Sequence, residues 1–446
     1  MSSISEPMDL ASAPPAASDK EVSRINNLMF ARLMPLLVIG YIINFLDRTN
    51  IGMAKAALQV DVGISAASYG LGAGLYFLVY AACEVPSNLI LQKVGARKWI
   101  TRIMFTWGLI SMCMALVKGP TSFYALRVLL GVAEAGLFPG VLFYLNSWFG
   151  ARNNARATGY FLFGVCLANA IGGPLGGAIL TLNGWHGLKG WQWLFILEGA
   201  PAVLFSYVIW KFLPDGPASA TWLTKEESDG VLSRLKAERD ANAAHYTPSL
   251  KSVFGHPQIL LAIWVYFCDQ IALYGVIFFL PGIVRSWGGL GEIQIGLLSS
   301  LPWVCCGLGA VIIPQVATHF GKARETMIGG MLMMAVVFTG PVFLPPAGAL
   351  VAFCIGCVMF MPLQSILFTY PYSRMQGTTL AGGLGYLNGM GLIGGFLGPY
   401  AMGLVEQATG KASNGLWLMS GALLAGAIGT FWLRYPSTDK PKAAAA

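Results

Sequence analysis

The stretch LMPLLVIGYIINFLDRTNIGMAKA, residues 33–56, decides the fold of this chain. It has the length of about 20 residues that an α-helix needs to cross roughly 30 Å of hydrocarbon, and Asp47 and Arg48 lie in its middle. Eleven further apolar runs of similar length follow it, near residues 67–91, 99–117, 122–145, 157–180, 191–213, 258–284, 294–318, 326–345, 348–371, 378–405 and 414–434. The pattern predicts twelve membrane-spanning helices.

The composition agrees with a membrane protein. Of the 446 residues, 56% are hydrophobic and only 11% are charged, whereas a soluble domain has about 25% charged residues. The apolar runs show no alternation of period two, which excludes the strand pattern of a transmembrane barrel. We therefore predict an all-α integral membrane protein embedded in a lipid bilayer.

The formal net charge of +8 carries an orientation signal. Lys118, Lys189, Arg285 and Lys411 fall on one side of the predicted membrane, while most of the other Lys and Arg residues fall on the other side or in the tails. The positive-inside rule makes the crowded side cytoplasmic, with both termini on it and an even number of helices. This distribution does not suggest a surface that binds nucleic acid.

Two six-helix halves are predicted on either side of a polar linker. The predicted segments are a disordered cytoplasmic tail (1–24), an N-terminal half (25–213), a cytoplasmic linker (214–256), a C-terminal half (257–435) and a second cytoplasmic tail (436–446). Thr224 and Glu227 have the spacing of a capping box and predict a short helix in the linker. Similarly spaced glycines in the fifth and eleventh helices, at 172, 173 and 176 and at 394, 395 and 398, indicate that the halves are pseudo-symmetric repeats.

Reactive groups that would suggest an enzyme are missing from the pattern. Cys354 and Cys357 have CxxC spacing, but they lie in an apolar helix with no Lys, Arg or His beside them to activate a thiol. The four histidines lie in loops or at helix ends. We expect no catalytic residue, no metal site and no cofactor apart from the proton as coupling ion.

Four charged residues inside predicted helices point to function. A charge at mid-membrane costs about 2.5–3.5 kcal/mol on insertion scales, so each one calls for a partner or a task. Asp47 and Arg48 lie in the first helix, and Arg127 and Glu134 lie two turns apart on one face of the fourth. We expect all four to meet in one cavity, where arginine offers a planar fork to a carboxylate and a buried carboxyl group takes up a proton. The alternative is two ion pairs that only hold helices together.

Other polar residues within the helices have weaker interpretations. Glu84 and Asp269 are expected to be structural or gating partners. Five hydrogen-bonding residues are candidates either for lining a polar cavity or for helix–helix hydrogen bonds, namely Tyr76, Asn169, Tyr274, Gln364 and Asn388.

The sequence resembles the major facilitator superfamily, and within it the anion:cation symporter family. The resemblance runs from about residue 26 to 435 and rests on four motifs, Leu46-Asp-Arg-Thr-Asn50, Glu84-Val-Pro-Ser-Asn88, Gly95-Ala-Arg-Lys98 and Arg127-Val-Leu-Leu-Gly-Val-Ala-Glu-Ala-Gly136. Within that family, the sequence is similar to bacterial permeases for tartrate, phthalate, 4-hydroxyphenylacetate and sugar acids. The resemblance implies a multi-pass protein of the plasma membrane, the inner membrane of a bacterium, and a monomer is the default expectation.

The resemblance also implies roles for individual residues. Asp47 and Glu134 match proton-carrying positions, Arg48 matches the carboxylate clamp, Arg127 tunes the site, and Tyr76 and Asn388 match substrate contacts. Phe45 departs from the pattern, because those symporters carry a tyrosine there, which favours an aromatic acid over a polyhydroxylated one. In the loop after the second helix, Lys93 stands where an acidic residue is common, so the gate formed with Arg97 and Lys98 is expected to be rewired.

These observations predict a secondary active transporter that takes up a small organic carboxylate together with protons by alternating access. Aromatic acids, dicarboxylates and sugar acids all remain open as substrates. Two alternatives remain, a proton-independent facilitator or exchanger of organic anions and a non-transporting sensor of organic acids.

Overall fold

A computed structural model describes residues 19–241, 250–375 and 377–434, and this part of the chain consists of helices and short connections. The helices are α1 (Asp19–Val62), α2 (Ala66–Val94), α3 (Ala96–Cys113), α4 (Pro120–Glu134), α5 (Leu137–Asn146), α6 (Ala151–Leu180), α7 (Gly190–Phe212), α8 (Lys225–Ala241), α9 (Leu250–Phe254), α10 (Pro257–Arg285), α11 (Glu292–His319), α12 (Ala323–Val337), α13 (Gly340–Phe343), α14 (Pro346–Cys357), α15 (Phe360–Arg374), α16 (Gly377–Thr409) and α17 (Leu416–Thr430).

Twelve membrane crossings follow from these helices, as the sequence predicts. The pair α4 and α5 makes the fourth crossing, and the pair α14 and α15 makes the tenth. Within the described residues, ten crossings are long and apolar enough to span a bilayer by length and composition alone. The two others are the glycine-rich α16 and the 15-residue α17.

The fourth crossing is broken directly after Glu134, where the sequence predicts an unbroken helix. Gly136 adopts the left-handed conformation with φ of 89°. The hydroxyl of Ser87 donates to the carbonyl oxygen of Ala135 at 2.6 Å, which satisfies a backbone group exposed by the break. The tenth crossing is interrupted at the corresponding place, between Cys357 and Phe360. Broken helices at mid-membrane are typical of transporter binding sites.

The linker contains the predicted short helix, α8. The Thr224 amide donates to the Glu227 carboxylate at 3.0 Å, and the Glu227 amide donates to the Thr224 hydroxyl at 3.2 Å. The hydrogen bond from the Thr224 backbone, followed by the one from Arg24, holds the pKa of Glu227 below its usual range. Arg24 belongs to α1, so this contact ties the linker to the N-terminal half.

The termini differ in part from the prediction. Residues 1–18 of the predicted tail lie outside the described residues, as do 435–446. Residues 19–24, also predicted to be disordered, are helical. They form the first turns of α1, which begins at Asp19, before the apolar stretch. The residues that follow Asp19 pack and pair with α8, as the Arg24 contact shows.

Helices from the two halves pack closely along two crossings, α2 with α16 and α6 with α11. Glycines allow the backbones to touch: Gly173 faces Gly296, and Gly70 faces the Pro399 carbonyl. We call the side of the molecule that holds α8 the linker side, and the side where α1, α10 and α16 end the far side. The Gly173–Gly296 and Gly70–Pro399 contacts lie toward the far side, so the two halves touch there.

Candidate functional site

Arg48 lies buried where the two halves meet. Its Nη2 donates to the Glu134 carboxylate at 3.0 Å and to the Tyr76 hydroxyl at 2.7 Å, both in the N-terminal half. Its Nη1 donates to the hydroxyl of Tyr274 on α10 at 2.9 Å. Among the described residues, the Arg48 Nε has no hydrogen-bond partner. Arg48 therefore bridges the halves and keeps one donor unused.

Glu134 is the acceptor at the centre of this cluster. Its Oε2 accepts hydrogen bonds from Asn44 at 2.8 Å, from Tyr76 at 2.6 Å and from Arg48. Its Oε1 has no partner within the described part of the chain. The break after Glu134 places this carboxylate at the end of α4, where it is paired with Arg48.

A small cavity lies next to Arg48, with walls from both halves. The N-terminal wall consists of Tyr41, Phe45, Arg48, Tyr80, Phe138 and Val165. The C-terminal wall consists of Tyr266, Gln270, Leu273, Tyr274, Met361, Gln364, Asn388 and Leu392. The free volume is only ≈ 20 Å³, room for about one water molecule. An organic acid would therefore fit only after the walls separate.

The four intramembrane charges do not meet in one cavity, which corrects the sequence prediction. Asp47 points away from Arg48 and accepts hydrogen bonds from Ser111 of α3 and from Asn50 at 3.2 Å. Adjacent residues project about 100° apart on an α-helix, so Asp47 faces the interior of the N-terminal half while Arg48 faces the other half.

Arg127 is also kept out of the cavity wall. It donates to the carbonyl oxygens of Gly72 at 3.3 Å and Ala73 at 3.2 Å, and its guanidinium lies 4.8 Å from the ring centre of Tyr76. Tyr76 in turn contacts both Arg48 and Glu134. Arg127 therefore contacts Tyr76, which lies behind Arg48 and outside the cavity wall.

Glu84 and Asn388 form a second polar link between the halves. The Asn388 amide donates to the Glu84 carboxylate at 2.7 Å, and the Tyr266 hydroxyl donates to the Asn388 carbonyl at 2.9 Å. Asn388 and Tyr266 both line the cavity, and Glu84 stands behind them on α2.

Asp269 holds two amides of the C-terminal wall. Its Oδ2 accepts hydrogen bonds from Gln270 and Gln364, each at 3.1 Å. Asn169, by contrast, donates to the Val165 carbonyl of its own helix at 2.8 Å and is not part of the cavity wall.

The loop after α2 has a different ion pair from the one the motif suggests. The Arg97 side chain lies 3.9 Å from Asp215, whose other oxygen accepts the Arg97 backbone N–H at 2.8 Å. Lys93 and Lys98 are exposed. Asp215 lies in the segment that follows α7, so this segment supplies the acidic partner of Arg97.

Sequence reasoning did not identify the ion pair between Lys55 of α1 and Glu406 of α16. Lys55 is buried, and its ammonium lies 4.1 Å from the ring centre of Phe279. A lysine within an apolar run was the available signal, but its partner lies 351 residues away. The cavity residues Tyr41, Tyr80 and Gln270 were also missed, because their apolar surroundings give no pattern. Among the described residues no group of three or more metal-ligating side chains occurs.

Comparison with known proteins identifies one matching family model and several similar transporters. The sequence model of the family described as Major Facilitator Superfamily matches residues 37–399. A quinolone resistance transporter from Acinetobacter baumannii is 39% identical over 431 residues, covering 95% of this chain and 98% of the relative. A putative tartrate transporter from Agrobacterium vitis is 37% identical over 430 residues, covering 96% of this chain and 94% of the relative.

The solved structures support the same fold. A partially occluded inward-open structure of the xylose transporter XylE from E. coli superimposes with a TM-score of 0.72, covering 93% of this chain and 99% of that one. The two sequences are 14% identical, so this likeness concerns the fold alone.

Proposed function

Because the chain belongs to the major facilitator superfamily and is a multi-pass membrane transporter, we propose that it carries a small organic carboxylate across the plasma membrane together with protons. The observation that carries the proposal is the Arg48–Glu134 pair beside the cavity between the halves. Relatives named as putative tartrate transporters support an organic anion as substrate.

The contacts of Arg48 suggest how anion and proton are coupled. Glu134 occupies the guanidinium of Arg48 in this structure. A substrate carboxylate would compete for the same donors, because two carboxylates cannot both stay charged at one arginine in a dry site. Protonation of Glu134 releases Arg48, and the free Nε with one Nη then form the planar fork that binds a carboxylate. Return of the proton to the other side restores the pair and expels the anion.

Asp47 has a separate role in this proposal. It lies one residue from Arg48 but is bonded within the N-terminal half to Ser111 and Asn50. Its Oδ2 has no partner among the described residues, which leaves an oxygen able to receive a proton. We assign Asp47 to proton binding without substrate contact, and Arg127 to fixing Tyr76 against Glu134.

The test is a thermal-shift screen of the purified protein against aromatic, sugar-derived and dicarboxylic acids at two pH values. A ligand that binds only the folded protein raises its stability in proportion to RT ln(1 + [L]/Kd). We expect at least one acid to raise the melting temperature, and Arg48→Lys to reduce the shift strongly because lysine lacks the fork. Arg324→Ala, in an exposed position, should leave the shift unchanged. If no acid of the panel changes the melting temperature, a carboxylate substrate is contradicted.

One relative favours a second candidate, export of carboxylate-bearing drugs. The quinolone resistance transporter covers nearly the whole chain, and quinolones carry a carboxylate that Arg48 could bind in the same way. Expression in a drug-sensitive bacterium distinguishes the two. Increased resistance to quinolones favours export, and unchanged resistance with uptake of an organic acid favours the proposal above.

A further inference from the structure

Asp269 is a buried carboxylate that the proposed transport cycle does not use. Its side chain is 2% exposed on α10, and among the described residues it contacts no cation. Its partners are the amide nitrogens of Gln270 and Gln364, and its second oxygen has no hydrogen-bond partner in the described part of the chain. A buried carboxyl group whose hydrogen bonds, among the described residues, come from two amides fixes the orientation of those amides.

The orientation has a consequence for the cavity. Both glutamines donate from their NH₂ groups to the same oxygen of Asp269, so their carbonyl oxygens face away from it. Both glutamines line the cavity opposite Arg48. These hydrogen bonds use the nitrogen of each glutamine and not its carbonyl oxygen. The C-terminal wall therefore carries glutamine oxygens that can accept hydrogen bonds from a ligand.

Asn388, in the same wall, also donates from its NH₂ group to a buried carboxyl group. Its NH₂ group donates to the Glu84 carboxylate at 2.7 Å, and its carbonyl oxygen accepts the Tyr266 hydroxyl at 2.9 Å. All three amide side chains of the cavity are thus held by their nitrogen to a buried carboxylate. The N-terminal wall contributes the cation Arg48, and the C-terminal wall contributes amide side chains held from behind by buried carboxyl groups.

We propose that Asp269 is a positioning residue that makes this wall a hydrogen-bond acceptor surface, and that the substrate is a monocarboxylate carrying hydroxyl or N–H donors away from its carboxylate. This inference rests on the proposed function and narrows its substrate class. A dicarboxylate would bring its second charge toward Gln270 and Gln364, with Asp269 behind them. A purely apolar acid would leave the glutamine oxygens unpaired, which is costly in a buried site.

The first experiment compares acids of matched size against the purified full-length protein. One series is gluconate, hexanoate and adipate, and the other is 4-hydroxybenzoate, benzoate and terephthalate. We expect the hydroxylated monocarboxylate of at least one series to bind about 10-fold more tightly than both of its partners, the effect of roughly one well-placed hydrogen bond.

The second experiment tests Asp269 by specificity. In Asp269→Asn the side chain can donate as well as accept, so the glutamines can turn over and present N–H groups to the cavity. We expect the preference for the hydroxylated acid over the dicarboxylate to fall by about 10-fold. A residue with only a structural role would weaken all ligands alike.

Two further variants keep the test decisive if Asp269→Asn fails to fold. Gln364→Leu should weaken the binding of the hydroxylated acid and strengthen that of the unsubstituted acid, because it removes an acceptor that the unsubstituted acid leaves unpaired. Asn169→Ala, buried but outside the wall, should change neither. If the dicarboxylates bind as tightly as the hydroxylated monocarboxylates, or more tightly, this inference is wrong while the proposed function still stands. No binding of any carboxylate would overturn both.

Discussion

At the scale of single residues, Arg48 and Glu134 form the buried ion pair on which the proposed coupling depends. A charge within an apolar helix is visible in any sequence, so Asp47, Arg48, Arg127 and Glu134 could be singled out. Their partners depend on how each helix is rotated and packed. The structure joins Arg48 to Glu134, and it turns Asp47 and Arg127 toward neighbours within the N-terminal half.

Glu134 and Asp47 are predicted to respond differently to neutralisation. In Glu134→Gln the guanidinium of Arg48 loses its anionic competitor, so substrate binding should persist. Asp47→Asn should still bind substrate because Asp47 lies outside the cavity wall. Neither variant should accumulate substrate against a gradient in vesicles. Accumulation by Asp47→Asn would favour the proton-independent facilitator instead.

At the scale of elements, helix number and approximate extent follow from the apolar runs, but the breaks do not. A run of about 20 apolar residues reads as one helix whether or not it is interrupted. The break after Glu134 depends on tertiary contacts, since Ser87 of α2 bonds the exposed carbonyl of Ala135. The glycine at 136 was part of a recognised motif, yet its left-handed conformation needed the structure.

Gly136→Ala should destabilise the protein because of this break. A non-glycine residue in the left-handed region costs roughly 1–2 kcal/mol, and the added Cβ would also collide with the Ser87 hydroxyl. Gly159→Ala is the matched control, since it lies within α6 with open space around its Cβ position and should be neutral or slightly stabilising. Thermal melts in detergent compare the two. Equal melting temperatures would contradict the importance of the break.

At the scale of the whole molecule, the two halves line a small cavity and touch on the far side. The glycine repeats and the polar linker made the two halves predictable. The contacts on the far side were not predictable, because they join residues hundreds of positions apart. Lys55 and Glu406 are one such pair, joining α1 of one half to α16 of the other.

Breaking this ion pair should weaken the contact between the halves. Glu406→Gln leaves the buried Lys55 ammonium unpaired and should lower the free energy of unfolding by about 3–5 kcal/mol. The double variant Lys55→Gln/Glu406→Gln should recover much of this lost stability. The control is the pair Arg285 and Glu292, whose side chains are 34% and 32% exposed, where Glu292→Gln should cost less than about 1 kcal/mol. Additive losses in the Lys55 cycle would show that the pair is not coupled.

The coupling of anion and proton movement is the central claim, and reconstituted vesicles test it most directly. Purified protein is placed in liposomes that contain a pH-sensitive dye, and the acid identified by the binding screen is added outside without any ion gradient. The proposal predicts acidification of the lumen that requires both the substrate and Arg48, and that disappears in Glu134→Gln. Substrate entry without any proton movement would contradict it.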